Sequence, residues 1–384
     1  MKYNYLFITI FFVTSCSTVP SFGLFDNDID PDEPAILKNI EDEKAKLKIN
    51  WSKKYKGENL LGNFSPSFSS KSLFFGDQEG NIDSLNAKSG DSLWSFKHNK
   101  EITSGISAGF GSIIFADEDG EIINLNQSDG TLIWKKNIKT EVLTAMPITA
   151  KYIIIKSSSG DLIALDKFSA DVVWSYRSVL PSLTVRGSSM PVIEQDKIYT
   201  TFDNGRLSVF ELNNGFPLWD GAISYTEGTS DLENLIDSDA SPVVDGRLIY
   251  ANNFQGNLAI FDSAQKRMIW KTKSSSFYSP LLLRNMMILT EYNSIIRSFS
   301  TKTFSESWKS EEYKNRNLSN PINFKGNIIF GDDKGFIHIL DPLNGITIGR
   351  IKISKKPIKT LISRSDSFYA VDENFELFSL SSLI

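Results

Sequence analysis

The chain of 384 residues has few of the residues that most often build catalytic or metal centres, because it contains one cysteine and two histidines. Cys16 cannot form a disulfide within the chain, since there is no second cysteine. His98 and His338 lie far apart in the sequence, and neither belongs to a ligand-spaced cluster such as HExxH or paired CxxC motifs. The sequence therefore predicts no metal site and no histidine-based triad, and both histidines are interpreted as ordinary strand or turn residues.

The chain also lacks an excess of positive charge. Its 41 Lys and Arg residues are scattered along the sequence and are outnumbered by 46 Asp and Glu residues, for a net charge of −5. A nucleic-acid-binding protein usually carries a basic stripe, so no nucleic-acid partner is expected. What the chain does contain is 41% hydrophobic residues, enough to bury a substantial core.

No hydrophobic run at the N-terminus is long enough to span a bilayer, which takes about 20 apolar residues. The run from Leu6 to Val13 follows Lys2 and is typical of an export signal. It leads into Val13-Thr14-Ser15-Cys16, which resembles the lipobox of bacterial lipoproteins, although Val13 stands where leucine is usual. That resemblance implies that Cys16 is acylated and becomes the new N-terminus. The alternative is an unused thiol in a discarded signal peptide.

On the lipoprotein interpretation, residues 1–15 are the signal peptide and residues 16–45 form a lipidated tether. The tether contains the acidic stretch FDNDIDPDEP and the mixed-charge stretch ILKNIEDEKAKLK, for which a short helix is expected. Residue 17 is Ser rather than Asp, and the resemblance to enterobacterial lipoproteins implies sorting to the outer membrane. The protein would then be anchored at the periplasmic face of that membrane.

The rest of the chain is built from a fifteen-residue frame that runs from Gly to Trp. The starts of successive copies lie 38 to 51 residues apart, and this period predicts a β-propeller in which each repeat folds as a four-stranded antiparallel blade. A sixth copy at 294–308 lacks the Gly, a seventh at 335–349 lacks the Trp, and an eighth ends with the chain. The five complete copies are GNIDSLNAKSGDSLW (80–94), GEIINLNQSDGTLIW (120–134), GDLIALDKFSADVVW (160–174), GRLSVFELNNGFPLW (205–219) and GNLAIFDSAQKRMIW (256–270).

The eighth copy lacks its fourth strand, and the segment LKINWSKK at residues 47–54 can supply it. Residues 46–384 are therefore predicted to form an all-β, eight-bladed propeller closed by the N-terminal strand, which leaves no blade edge open. Proline precedes an apolar stretch once in most repeats, as in FSP (64–66) and AMP (145–147), and marks the innermost strands. The tryptophans would all cover gaps between neighbouring blades: Trp51, Trp94, Trp134, Trp174, Trp219, Trp270 and Trp308.

The Gly-to-Trp frame resembles the tryptophan-docking motif of quinoprotein-type propellers. That group includes quinone-dependent dehydrogenases as well as non-catalytic scaffolds, so the fold alone does not select a function. In the dehydrogenases a vicinal cysteine disulfide lies over the cofactor, beside carboxylates that bind calcium. Because this chain has no vicinal cysteines, we expect neither catalytic residues nor a cofactor.

Two loop motifs are more specific. PSLTVRGSSMP (181–191) and TSDLENLIDSDASPVV (229–244), in this order, resemble the BamB family of outer-membrane assembly factors, the propeller lipoproteins of the β-barrel assembly machinery. The resemblance extends to FQGNLAIFD (254–262) and to residues 319–345, and so covers essentially the whole mature chain. It implies a scaffold that helps outer-membrane proteins to fold and insert.

The same resemblance implies the binding partners. The propeller would bind the periplasmic POTRA domains of the central barrel component, and unfolded outer-membrane proteins are a second partner class that it allows. Val185 stands where the family has leucine, and the other contact positions match. The residues carried over to this sequence are Leu183, Val185, Arg186, Asp237 and Asp239.

Two alternatives remain open, one for the role of Arg186 and one for the function of the whole chain. Arg186 is either a docking anchor or a structural cation that pairs with Asp237 or Asp239 and stiffens neighbouring blades. The whole chain is either the assembly scaffold or a free-standing periplasmic propeller whose central funnel binds a small molecule or a polysaccharide.

Overall fold

The computed structural model describes residues 32–57, 64–181, 189–225 and 238–383, and every regular element in these ranges is a β-strand. The first strand is β1 (Leu47–Lys54). Blades 1 to 4 contain, in order, β2 (Ser67–Ser69), β3 (Ser72–Gly76), β4 (Asn81–Asn86), β5 (Ser92–Lys97); β6 (Ser107–Gly109), β7 (Ser112–Ala116), β8 (Glu121–Asn126), β9 (Leu132–Asn137); β10 (Tyr152–Lys156), β11 (Asp161–Asp166), β12 (Val172–Arg177); and β13 (Val192–Glu194), β14 (Lys197–Phe202), β15 (Arg206–Glu211), β16 (Pro217–Ala222).

The second half of the chain continues the same plan. Blades 5 to 8 contain, in order, β17 (Val243–Asp245), β18 (Leu248–Asn252), β19 (Gly256–Asp262), β20 (Arg267–Ser274); β21 (Leu281–Leu283), β22 (Met286–Thr290), β23 (Ile296–Ser300), β24 (Glu306–Ser310); β25 (Ile322–Phe324), β26 (Asn327–Gly331), β27 (Phe336–Leu340), β28 (Thr347–Lys352); and β29 (Ile358–Arg364), β30 (Ser367–Asp372), β31 (Glu376–Ser382).

Blade 8 is completed by the N-terminal strand. β1 pairs antiparallel with β31, in a register that runs from Leu47 opposite Ser382 to Lys54 opposite Glu376. The strand order of the blade is therefore β1-β31-β30-β29, and the strand from the start of the chain lies at its outer edge. The predicted eight-bladed propeller with N-terminal closure is confirmed.

Blade 3 differs locally from the predicted four-stranded plan, because its innermost strand is reduced to a single bridge between Ile148 and Ile153. In blade 1, Pro66 lies just before the three-residue strand β2. In blade 3, Pro147 lies one residue closer to the following turn and so takes the first position of that strand. Proline has no N–H to donate to the ladder, which explains why the pairing is shorter.

The first strands of the blades surround the central axis. Neighbouring first strands contact each other, as between β2 and β6, β13 and β17, and β21 and β25. The second and third strands are buried between blades, and their sequences are continuous apolar runs such as SIIFA in β7. Side chains of neighbouring blades pack together, for example Ile114 in blade 2 with Ile153 in blade 3. The core is therefore a series of interfaces around the ring.

Each fourth strand carries a β-bulge beside the tryptophan position. In blade 1, Ser84 lies opposite Trp94 but the next residue, Leu85, lies opposite Ser92, so that Leu93 is the extra residue. The same irregularity occurs in all eight blades. A bulge increases the local twist of a strand and redirects its side chains.

Six of the seven tryptophan side chains contact the next blade at its turn between the third and fourth strands, and Trp219 lies against Phe261 in the third strand of blade 5. Trp51 makes this contact from blade 8 to blade 1, and so lies at the joint where the ring closes. Trp270 lies against Phe299 and Phe304 of blade 6, with ring centroids 5.7 and 5.6 Å apart. Five indole Nε1 groups donate to backbone carbonyls in these turns: Trp51 to Ala87 (3.2 Å), Trp94 to Gln127 (3.1 Å), Trp134 to Lys167 (2.9 Å), Trp174 to Leu212 (2.9 Å) and Trp308 to Pro342 (2.9 Å).

Each of these turns presents a residue with positive φ to the tryptophan of the preceding blade. At Gly215, where φ is 69°, an added Cβ would come within 2.4 Å of the Trp174 ring. Gly90, Gly130 and Gly345 face Trp51, Trp94 and Trp308 in the same way. The position lies four residues before the blade's own tryptophan, or before Gly349 in blade 7, and Ala170 occupies it in blade 3 with φ of 60°.

An N-terminal strap, residues 34–46, lies along the outside of blade 7. The backbone N–H of Ala35 donates to Lys314 O at 2.9 Å, and those of Lys44 and Ala45 donate to Ile348 O at 2.9 and 3.0 Å. The strap contains no helix, so the expected short helix in this segment is wrong. Five of its backbone groups are instead hydrogen-bonded to blade 7 or the connection before it, and the compact unit begins at Pro34.

Two arginines beneath the strap belong to a buried network in blade 7. Arg316 Nη1 donates to Ala35 O, and Arg350 Nη1 donates to Lys38 O, each at 3.0 Å. Arg316 also donates to Asp332 Oδ2 at 2.6 Å, and Arg350 Nε donates to His338 Nδ1 at 3.0 Å.

The arginine contact fixes the protonation of His338. Because its Nδ1 accepts a hydrogen bond, the proton lies on Nε2, which donates to Asp332 Oδ2 at 3.0 Å. Burial lowers the pKa of His338 despite the neighbouring carboxylate. Burial tends to raise the pKa of Asp332, but hydrogen bonds from His338, the Phe336 backbone N–H and Arg316 lower it to about 2.

Replacing Gly215 should show how closely the tryptophan packs on the turn. We expect Gly215→Ala to lower the free energy of unfolding more than Gly246→Ala, measured by urea denaturation. Gly246 also has positive φ but has nothing within 4 Å of the added Cβ, so its variant reports only the backbone strain of about 1 kcal/mol. The overlap with Trp174 should add about 1–3 kcal/mol. Equal losses in the two variants would contradict the packing role of this position.

The state of His338 predicts a pH dependence of stability. Its pKa is lower in the folded than in the unfolded protein, so the unfolded state binds the proton first, and stability should fall as pH decreases below about 6.5. Asp332 stays ionised in both states above pH 5 and adds no slope there. We expect His338→Gln to reduce the loss of unfolding free energy between pH 7 and pH 5 by about 1 kcal/mol. Parallel pH profiles of the two proteins would contradict this assignment.

Candidate functional site

The up-and-down order of strands places two kinds of connection at one end of the ring. The hairpins between second and third strands and the connections between successive blades all lie there, and we call this end the loop face. Residues 178–191 connect blade 3 to blade 4, and residues 223–242 connect blade 4 to blade 5. The described ends of both predicted loop motifs therefore lie on the loop face, on either side of blade 4.

Of the predicted partner-contact residues, the structure describes Asp239. Leu183, Val185, Arg186 and Asp237 lie outside the described residues, as does Cys16. The chain re-enters the described structure at residues 189–191 after the first loop and at residues 238–241 after the second. We call these two segments the first foot and the second foot.

The two feet are joined through Thr201, near the end of β14. Thr201 Oγ1 lies 2.8 Å from Ser189 Oγ in the first foot and 3.2 Å from Ala240 O in the second. Ser238 Oγ donates to Phe202 O at 2.9 Å, and the Met190 N–H donates to Ser241 Oγ at 2.9 Å. Thr201 and Phe202, at the end of β14, therefore connect the two feet through hydrogen bonds.

The second foot also contacts the next connection along the ring. Ser279 Oγ donates to Ser241 O at 2.7 Å. Burial, followed by the nearby carboxylate of Asp239, raises the pKa of Tyr278 to about 12. Asp239 is thus electrostatically coupled to the connection between blades 5 and 6.

Aromatic side chains lie beside the second foot and were not identified from the sequence. Phe254 stacks on Phe277 with ring centroids 4.3 Å apart and an interplanar angle of 14°, and Tyr292 packs edge-on against Phe254. Tyr292 is 58% exposed, and Tyr225, at the start of the second loop, is 69% exposed. The signal that could have revealed them is the phenylalanine of the hairpin FQG, where small polar residues are usual.

The histidines lie away from the loops' feet and are structural in their contacts. His98 Nε2 lies 3.0 Å from Asp117 Oδ2, and both side chains are buried. In the portion of the chain that the structure covers, no three His, Cys, Asp or Glu side chains are grouped so as to hold a metal ion. The same portion contains no helix with the length and apolar character needed to cross a membrane.

Comparisons with known proteins agree on one family. The family model described as "Outer membrane protein assembly factor BamB" matches residues 78–310. The protein of that name from Pseudomonas aeruginosa is 36% identical over 328 residues, which is 85% of this chain and 86% of the relative. The alignment with the protein of that name from Legionella pneumophila shows 32% identity but spans only 45% of each chain.

Solved structures share the fold at lower identity. The crystal structure of BamB from Moraxella catarrhalis matches with a TM-score of 0.81 and 22% identity, over 88% of this chain and all of that one. A quinohemoprotein alcohol dehydrogenase from Pseudomonas putida matches with a TM-score of 0.65 and 9% identity, over 90% of this chain and 78% of that one. At these identities the two structures support the propeller fold alone.

Proposed function

The chain belongs to the BamB family of outer membrane protein assembly factors, and from this membership we propose that it is a non-catalytic scaffold of the β-barrel assembly machinery. In this role it binds the periplasmic POTRA domains of the central barrel component through the loop face on either side of blade 4. The observation that carries the proposal is that both loop motifs flank one blade and have their feet joined at Thr201.

The proposed contact surface combines three kinds of side chain. Leu183 and Val185 provide apolar contacts, Arg186 provides a bidentate donor, and Asp237 and Asp239 provide carboxylates on the neighbouring loop. Arginine and apolar anchors at the centre of an interface usually carry most of its binding energy. The coupling of Asp239 to Tyr278 supports a surface that continues from the second foot toward blades 5 and 6.

A scaffold role requires no cofactor chemistry, and the relatives with matching sequences are named as assembly factors. The likeness to a quinohemoprotein dehydrogenase is one of fold. With one cysteine in the sequence, the chain cannot form the vicinal disulfide of the quinone-dependent enzymes. The seven tryptophans act on this proposal as joints between blades and not as part of a cofactor pocket.

We place the protein at the periplasmic face of the outer membrane, anchored by lipid on Cys16 after removal of residues 1–15. Residues 17–33 then link the anchor to the compact unit that begins at Pro34.

Removing the Arg186 side chain tests the docking role. We expect Arg186→Ala to weaken binding to purified POTRA domains about 30-fold, measured by isothermal titration calorimetry, because hot-spot truncations cost about 2 kcal/mol or more. The thermal midpoint should stay unchanged. The matched control is Arg267→Ala, since Arg267 is exposed at the start of β20, on the opposite end of the ring.

The same measurements separate the two roles of Arg186. If it only stiffens the blades by pairing with Asp237 or Asp239, then Arg186→Ala and Asp239→Asn should both lower the thermal midpoint. Wild-type affinity of Arg186→Ala, with an unchanged midpoint, would refute the docking role. Co-purification of barrel-assembly subunits with the wild-type protein from solubilised membranes tests the scaffold function as a whole.

A further inference from the structure

One blade places a buried cation where the other repeats place an uncharged residue. The position lies four residues before the start of the Gly-to-Trp frame, at the end of the second strand, next to the loop face. In blade 3 it is Lys156, whose residue surface is 3% exposed. In the other seven blades it is Gly76, Ala116, Thr201, Asn252, Thr290, Gly331 and Val371, the last of which lies opposite Leu377 as Gly331 lies opposite Ile337.

The ammonium group of Lys156 lies between the two feet. Its Nζ donates to Ser189 Oγ of the first foot at 2.7 Å and to Thr201 O at 2.7 Å. Thr201 is also the residue whose hydroxyl lies against Ala240 O of the second foot. One cation therefore reaches the first foot directly and the second foot through a single residue.

A second set of hydrogen bonds holds the second foot. Asn253 Nδ2 donates to Ser238 Oγ at 2.6 Å, and Ser238 in turn donates to Phe202 O. Burial raises the pKa of Asp203, while the charge of Lys156 acts to lower it. Removal of the cation would therefore alter the electrostatics of the residues that hold the second foot.

Stability alone does not account for a lysine at this position. Moving an ammonium group out of water costs several kcal/mol, and hydrogen bonds and neighbouring charges only offset that cost. All seven other blades build the same strand and hairpin with an uncharged residue, so the blade geometry does not require a cation. Replacing a complete buried ion pair by apolar residues is often neutral or stabilising, but removing one charged partner leaves the groups around it without their contacts and is destabilising.

We propose that Lys156 is a positioning residue for partner binding, which joins the two feet and thereby sets the spacing between the segments that directly follow Arg186 and Asp237 in the chain. This inference rests on the proposed function for its consequence, because the spacing matters only if the two loops bind one partner. Its structural part, the coupling of the two feet, stands on the contacts of Lys156.

The test is the variant Lys156→Met, which keeps the length of the side chain and removes its charge. We expect hydrogen–deuterium exchange to become faster in peptides that cover residues 181–194 and 225–244, and to stay at wild-type rates in the blades on the far side of the ring. Binding to purified POTRA domains should weaken about tenfold, the size of effect typical of residues that act through others. A residue that only stabilised the fold would instead accelerate exchange in every blade.

Lys167→Met is the matched control. Lys167 is also a buried lysine, but its Nζ donates to Phe110 O at 2.6 Å on the end of the ring opposite the loop face. We expect this variant to leave exchange at both feet and the affinity for POTRA domains at wild-type values. A loss of affinity equal to that of Lys156→Met would overturn the inference, because a general effect of removing buried charge would then explain both.

Ser189→Ala removes only the hydroxyl that Lys156 contacts and keeps the test decisive if Lys156→Met does not fold. It should accelerate exchange at the first foot, and wild-type exchange there would overturn the inference. Exchange is measured on the free protein, so its outcome is independent of the partner. Failure of the wild-type protein to bind POTRA domains would instead refute the proposed function. The coupling of the two feet would then still be tested by the exchange measurements.

Discussion

The antiparallel pairing of β1 with β31 is the interaction on which the rest of the structure depends. It joins residues from the two ends of the chain, such as Asn50 and Ser379, whose side chains are hydrogen-bonded across a separation of 329 positions. Without β1, the outer edge of β31 would expose unpaired backbone groups, and the turn of blade 1 would lose the Trp51 ring. Loop-closure entropy adds about 0.6 kcal/mol for each doubling of the separation, so the contact costs about 3 kcal/mol more than one across about ten residues.

The propeller could be predicted because the residues that define its repeat act locally, within a turn or at the end of a strand. Glycine at a turn and tryptophan at the end of a strand recur at a fixed distance, and counting them gives eight blades. The bulge and the turn position beneath each tryptophan were missed, because several residue types fill that position: glycine in four blades and Ala170 in another. The strap was mistaken for a helix because its backbone partners, Lys314 and Ile348, are remote in sequence.

The site could be predicted only in part. Family resemblance points to residues in two loops, and strand order alone places those loops on one end of the ring and beside one blade. The contacts that join their feet involve Lys156 and Thr201, which sit in ordinary β-strand sequence and carry no motif. Aligning the repeats shows that blade 3 has a cation where the other blades have an uncharged residue. The role of this cation depends on which residues of blade 4 it contacts, and the period of the repeat does not predict those contacts.

The strap connects the two ends of blade 7 on its outer side. From Ala45, beside the beginning of β28, it runs along the blade until Ala35 meets the connection that contains Lys314 and Arg316, at the loop face. The guanidinium groups that hold it, those of Arg316 and Arg350, also hydrogen-bond Asp332 and His338. Release of the strap would therefore remove two acceptors from the arginines of this network, so that the surface segment and the interior of blade 7 depend on each other.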